Sequence, residues 1–275
     1  MDTFINSYSY TEKLLILQSI LLLWGVKDAQ IYSEIRLFPS RELVTNLSMT
    51  KVFFYNQITK RMKTALIIGA TGLIGSILVK QILDNPAYSK VVLLLRKPLD
   101  ISHSILTQEI IDFDKLDASK IMGDDLFCAM GTTLSKAGSK EAQYKIDCIY
   151  PYEIGKIAKD NGVKQYILVS SVGANFDSSN FYLKTKGDLE KKIQSLDFHN
   201  FVSLRPSMLL GDRNEFRLGE KIGTVLSTIL SPLLFGSLRK YHGIDASDVA
   251  KAMQKFASQG LGGVKYVEYD EIMNK

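Results

Sequence analysis

The chain has 275 residues, 46% of them hydrophobic and 23% charged, enough to bury at least one sizeable core. Its net charge of +5 is scattered, with no basic block and no basic patch interleaved with aromatics, which argues against nucleic acid as a partner. Cys128 and Cys148 have neither metal-ligand spacing nor the number of a disulfide framework and read as reduced, buried thiols of a cytoplasmic protein, while His103, His199 and His242 are too scattered to predict a metal site.

Residues 1–61 differ in character from the rest of the chain. They carry LLILQSILLLW, from Leu14 to Trp24, about half the roughly 20 apolar residues of a membrane-spanning helix. As a signal peptide the segment is poor: Lys13 is the nearby positive charge, Asp2 and Glu12 oppose it, and no small-x-small site follows Trp24. Three readings stay open, namely a start upstream of a native Met62, a short helix docked on something, and a membrane-surface contact through residues 14–24. Residues 62–275 are expected to form one domain of α/β class with a doubly wound parallel sheet.

That expectation begins with TALIIGATGLIGSILVKQIL, Thr64 to Leu83. A buried strand over Ala65–Ile68 runs into glycines at Gly69, Gly72 and Gly75 and then into an amphipathic helix. In a dinucleotide-binding unit, Gly69 makes the turn, Gly72 lets the backbone approach a pyrophosphate, and Gly75 lets helix and strand pack closely. The second strand, Val91–Leu95, ends in Arg96-Lys97-Pro98. Two cations and no acid at that strand end predict a 2′-phosphate, hence NADP(H) over NAD(H). A short strand then ends at Asp112-Phe113, placed to meet an adenine ring, and a fourth ends at Met130-Gly131-Thr132, where a small residue lets the cofactor pass.

The spacing next predicts a long helix over Lys140–Asn161 kinked by Pro151, a fifth strand over Lys164–Ser171 and a helix from about Tyr182. Further on come a strand over Asn200–Pro206, a variable region to about Tyr241, a helix over Ala246–Ser258 and a last strand, VKYVEY. Ser170 and Ser171 close the fifth strand, and Tyr182 and Lys186 come later, one helical turn apart. An ammonium beside a phenol favours phenolate, so Tyr182 can exchange a proton with a substrate oxygen that Ser171 positions. With 13 tyrosines in 275 residues, about one Tyr-x-x-x-Lys arises by chance. A second copy, Tyr152 and Lys156, lacks a serine-tipped strand before it and reads as an ordinary helix face.

Together GATGLIG, LLLRK, IIDFDKLD, FCAMGTT, VSSVGANFDSSNFYLKTKGDLE and SLRPSMLLGDRNEFRLGE resemble the short-chain dehydrogenase/reductase superfamily, in the atypical branch typified by the Tat-interacting protein. The resemblance runs from about Lys63 to the C-terminus. It implies a Rossmann fold with Thr71, Gly72, Leu73 and Ile74 on the pyrophosphate and nicotinamide side, Arg96 and Lys97 on the 2′-phosphate, and Asp112, Met130 and Gly131 on the adenosine. It implies Tyr182 as proton donor or acceptor, Lys186 on the nicotinamide ribose, and Leu209 and Arg217 on the cofactor from the loop after Arg205-Pro206. Where family members carry two arginines, this chain has Arg96 then Lys97, which keeps the charge and loses one bidentate fork. The implied activity is NADP(H)-dependent hydride transfer on a small carbonyl or alcohol, or on a sugar-nucleotide-like substrate. The alternative is a cofactor-loaded regulatory protein that reports redox state to a protein partner.

Overall fold

The computed structural model describes residues 62–210, 239 and 241–273. The apolar stretch 14–24, the N-terminal extension and Arg217 lie outside these.

Lys63–Ile68 (β1) is an interior strand, fully buried from Ala65 on because both faces of the sheet are covered by helices. It leads through the glycine turn into α1, Leu73–Leu83, and then into β2, Tyr88–Leu95, and β3, Leu106–Ile110. The chain crosses to the other side of β1 as β4, Asp125–Cys128. Two short helices, α2 (Leu134–Ala137) and α3 (Lys140–Tyr144), and a π-helical turn, Lys145–Ile149, run into α4, Tyr150–Asp160. Next come β5 (Gln165–Val169), α5 (Phe181–Gln194) and β6 (Asn200–Leu204). Beyond them lie the two-residue strands β7 (Leu209–Leu210) and β8 (Ile244–Asp245), then α6 (Ala246–Gln259), β9 (Gly263–Val267) and α7 (Tyr269–Ile272).

Seven strands pair in the order β3-β2-β1-β4-β5-β6-β9, every pairing parallel. This is the doubly wound sheet the alternating pattern predicts. Alternate side chains of the strands feed two cores, since successive residues point to opposite faces. Ile67, Leu93, Phe127 and Ile167 pack with Leu78 and Ile82 of α1 and Met253 and Phe256 of α6. On the other face, Leu66, Leu94, Leu126 and Leu168 pack with Ile154 and Ala158 of α4 and Leu189 and Ile193 of α5.

At the N-terminal ends of the strands, opposite the candidate site, lies a buried polar cluster. Asp125, 1% exposed, stands beside Gln165, and Gln165 beside Asn200, on three adjacent strands. The Asp125 carboxylate accepts from Lys63 Nζ at 2.9 Å, Tyr88 Oη at 2.7 Å and Gln165 Nε2 at 2.7 Å. Burial and that carboxylate push the Tyr88 phenol far above its ordinary range, so it remains a donor.

Several predicted boundaries shift. The expected single kinked helix over Lys140–Asn161 is three pieces, and Pro151 sits in the first turn of α4, not at a mid-helix bend. Pro151 has no N–H to give the Asp147 carbonyl, so the α ladder cannot pass through it and the preceding turn widens to π. The third strand stops at Ile110, because Asp112 turns back in a bridge to Lys115. The last strand ends at Val267, since Tyr269 already belongs to α7.

Candidate active site

The sheet order reverses between β1 and β4, and the crevice beyond their C-terminal ends is where ligands bind in open α/β folds. The glycine turn lies at that edge. Gly69 has φ +84°, and a Cβ there would stand 2.4 Å from the Ala129 carbonyl carbon, so the turn demands glycine and brings β1's end against the chain leaving β4. A Cβ on Gly75 would lie 2.0 Å from the Gly69 oxygen. Gly75→Ala is therefore expected to cost about 3 kcal/mol, the upper part of the overpacking range, with the urea midpoint as the readout.

Gly72 is the N-cap of α1, without a side-chain cap and without an acid in the first turn. The first N–H groups of the helix, at Leu73, Ile74 and Gly75, have no intrahelical acceptor and are available to an anion. Ile74 contributes only its backbone, for its side chain is buried in the core, whereas Thr71 and Gly72 are exposed. Arg96 and Lys97 come directly after β2, both exposed and without an ion pair among the described residues. Asp112, also exposed, accepts from Asp114 N at 2.9 Å. Met130 is half-buried, and Gly131 is exposed in the loop after β4. Leu209, half-buried, pairs with Ile244 in the short β7–β8 ladder.

The second part of the site is carried by α5. Asn180 caps it, its Oδ1 accepting from Leu183 N at 3.1 Å, so Tyr182 and Lys186 fall one turn apart, with Lys186 Nζ 6.0 Å from the Tyr182 ring centre. Lys186 is 4% exposed. Its Nζ lies 3.8 Å from Asp147 Oδ2, and an added Cβ on Gly131 would be 3.4 Å from it. Asp147, fully buried in the π turn, also accepts from Thr132 N at 2.6 Å, so one carboxylate joins the loop after β4 to the lysine of α5. Sequence reasoning missed Asp147. The Pro151 beside it was the available signal, since an interrupted ladder re-aims the side chains before it.

Gly187 was missed as well. A Cβ there would sit 2.2 Å from Phe176 N, so this glycine lets the β5–α5 connection lie flat on the helix that carries Tyr182 and Lys186. Of the two serines, Ser171 is half-buried and donates to the Val172 carbonyl at 3.3 Å. Ser170 is 4% exposed, and its hydroxyl meets no acceptor among the described residues. It continues the alternation of Leu168, toward the face covered by α4 and α5.

Behind α5, Glu190 accepts from Ser203 Oγ at 2.7 Å and from Arg205 Nε and Nη2 at 2.9 and 2.6 Å. This bidentate pair fastens the site helix to the end of β6 and raises the Arg205 pKa further. The other tyrosine–lysine copy lies on α4, with Tyr152 under Lys192 Nζ at 5.0 Å and Lys156 exposed, as an ordinary helix face would be. Cys128 and Cys148 are buried and free of disulfides, and burial pushes both thiols up.

In front of Tyr182 an open cleft of about 440 Å³ runs between two walls. Thr132, Thr133, Leu134, Ser135, Lys140 and Gln143 form one wall, and Asn180, Phe181 and Tyr182 form the other. It is of the size that holds a small molecule.

The sequence family described as NAD(P)H-binding matches residues 69–231. Protein FMP52, mitochondrial, of Candida albicans is 39% identical over 210 residues, which cover 73% of this chain and 90% of that protein. Protein HTATIP2 of Rattus norvegicus is 35% identical over 223 residues, covering 77% and 88%. Among solved structures, MoeE5 in complex with UDP-glucose and NAD has a TM-score of 0.56 at 18% identity, over 77% of this chain and 80% of that one. A UDP-N-acetylglucosamine 4-epimerase from Methanobrevibacter ruminantium has 0.55 at 19%, over 75% and 76%. At such identity the likeness is one of fold. A glycine turn at the switch point of a seven-strand parallel sheet and relatives matched over most of their length agree: the chain belongs to the NAD(P)H-binding family, and HTATIP2 and FMP52 are among its relatives.

Proposed function

We propose that the protein is an NADP(H)-dependent oxidoreductase that interconverts a small carbonyl compound and its alcohol, with Tyr182 as the acid/base. The observation that supports it best is the conjunction, at one edge of the sheet, of an anion-ready glycine turn with Tyr182 and the buried Lys186–Asp147 pair. The cradle fits a dinucleotide. The first turn of α1 offers N–H donors to the pyrophosphate, Gly131 leaves room for the cofactor to pass, and Arg96 and Lys97 supply charge where a 2′-phosphate would lie.

When bound, the reduced nicotinamide supplies the hydride. Tyr182 would give its hydroxyl proton to the carbonyl oxygen of the substrate and regain one from solvent. Lys186 Nζ stands 6.0 Å from the Tyr182 ring centre, where an ammonium lowers the cost of a transient phenolate. Ser171, half-buried just beyond the end of β5, holds the substrate oxygen. In the other direction the same tyrosine accepts the alcohol proton.

Steady-state NADPH oxidation against a panel of small carbonyl compounds tests the activity. NADPH binding without turnover would favour the regulatory alternative. Cofactor preference has its own test: replacing Arg96 and Lys97 together by alanine weakens NADPH binding by about 10- to 100-fold, the loss expected of charged hydrogen bonds, and weakens NADH binding far less. Equal losses in a fluorescence titration would remove the 2′-phosphate assignment. We place the protein in the cytoplasm, and organelle fractionation tests this against the mitochondrial location in the name of the Candida albicans relative.

A further inference from the structure

The cleft in front of Tyr182 has a charge character of its own. Lys140 is the charged residue on its walls, and among the described residues no acidic side chain lines it. Lys140 is exposed, forms no ion pair among the described residues, and has its Nζ 5.6 Å from the centre of the Phe181 ring. The ring steadies the ammonium over the cleft, next to the residue that carries the phenol. Neighbouring Glu141 feels the charge of Lys140 but forms no ion pair with it among the described residues, its carboxylate accepting hydrogen bonds from Ser139 and its own backbone N–H.

Helix stability does not account for Lys140. It is the first residue of α3, where the helix dipole favours acids and disfavours a cation. The neutral polar groups around it are also biased toward donation. Thr133 Oγ1 already accepts from Lys136 N at 3.2 Å and Asn180 Oδ1 from Leu183 N at 3.1 Å, which leaves the threonine hydroxyl proton and the asparagine amide hydrogens for a ligand. Leu134, 46% exposed, and Phe181 offer apolar surface for a short carbon skeleton.

Resting on the carbonyl-reductase reading above, we propose that the cleft selects small carbonyl compounds that bear an anionic group, carboxylate or phosphate, with that group at Lys140 and the carbonyl oxygen at Tyr182. A cation and a proton donor on the lining of one cleft fix both the orientation and the class of the substrate.

The test compares pyruvate with methyl pyruvate, and dihydroxyacetone phosphate with dihydroxyacetone, in NADPH oxidation by the full chain and by Lys140→Gln. The expected result is a higher kcat/KM for the charged member of at least one pair, with the charged-to-neutral ratio falling about tenfold in Lys140→Gln, as loss of one partly exposed charge contact implies. Which pair responds distinguishes carboxylate from phosphate. A ratio unchanged by the substitution, or a preference for both neutral members, overturns the proposal. If no carbonyl is turned over, the oxidoreductase reading itself fails, and the anion site is then read from saturation-transfer NMR of oxamate and glycerol 3-phosphate with the NADPH-loaded protein. A signal from either that drops in Lys140→Gln supports the site, and signals absent or equal in both proteins overturn it.

Discussion

Tyr182→Phe is expected to lower kcat for NADPH-dependent carbonyl reduction by roughly 10²- to 10⁴-fold, the usual share of a positioned acid/base group. The substitution removes one oxygen and leaves the ring, so the packing of α5 is expected to persist. Its N-cap at Asn180, the Glu190–Arg205 fastening and the flat contact at Gly187 do not involve the phenol oxygen. NADPH affinity should therefore change by less than about threefold, well under the roughly 1.4 kcal/mol of a tenfold loss. Steady-state kinetics with a fluorescence titration of NADPH on the same samples separate the two quantities. Equal turnover in both proteins would remove Tyr182 from the chemistry, and a matched loss of affinity would assign it to cofactor binding.

The second large effect lies at the far end of the sheet. Asp125→Ala is expected to cost about 3–5 kcal/mol in urea unfolding, the range seen when one partner of a buried charged cluster is removed. The deletion leaves Tyr88 Oη and Gln165 Nε2 without their acceptor inside the fold, while Lys63, about a third exposed, can turn to water. Asp125→Asn separates charge from shape. It keeps one acceptor oxygen but turns an amide toward a donor, and the expected cost is about 1–3 kcal/mol. A loss below about 1 kcal/mol for alanine, less than a typical single buried hydrogen bond to a charged group, would show that the cluster relaxes around the gap. Because Asp125 sits at the opposite strand ends from Tyr182, KM for NADPH in the folded fraction is expected to stay near that of the unsubstituted protein.

How far the site was legible in the sequence varies with the range of the contacts involved. Gly69, Gly72 and Gly75 announced themselves because the demands they meet are local: a positive φ, and a helix start that packs on its own strand. Lys186 could be paired with Tyr182 because both lie on one helix, where spacing is geometry. Asp147 is 39 positions before Lys186, and nothing in its neighbourhood marks it as that lysine's partner. The same holds for Glu190 and Arg205, joined only when α5 is laid on β6, and for Asp125, whose strand reads as apolar apart from it.

By itself the sequence determined the class of fold, the glycine turn at the head of α1, and the tyrosine–lysine spacing, because each depends on periodicity or on backbone conformation within a few residues. Only the tertiary structure decided which side chains share the site: that a π turn before Pro151 aims Asp147 at Lys186, that Ser170 is the deeper of the two serines, and that Lys140 stands over Phe181 on the lining of the cleft. Such meetings are set by how strands cross over and helices settle on the sheet, and a burial pattern records that a residue faces inward without recording what it will face.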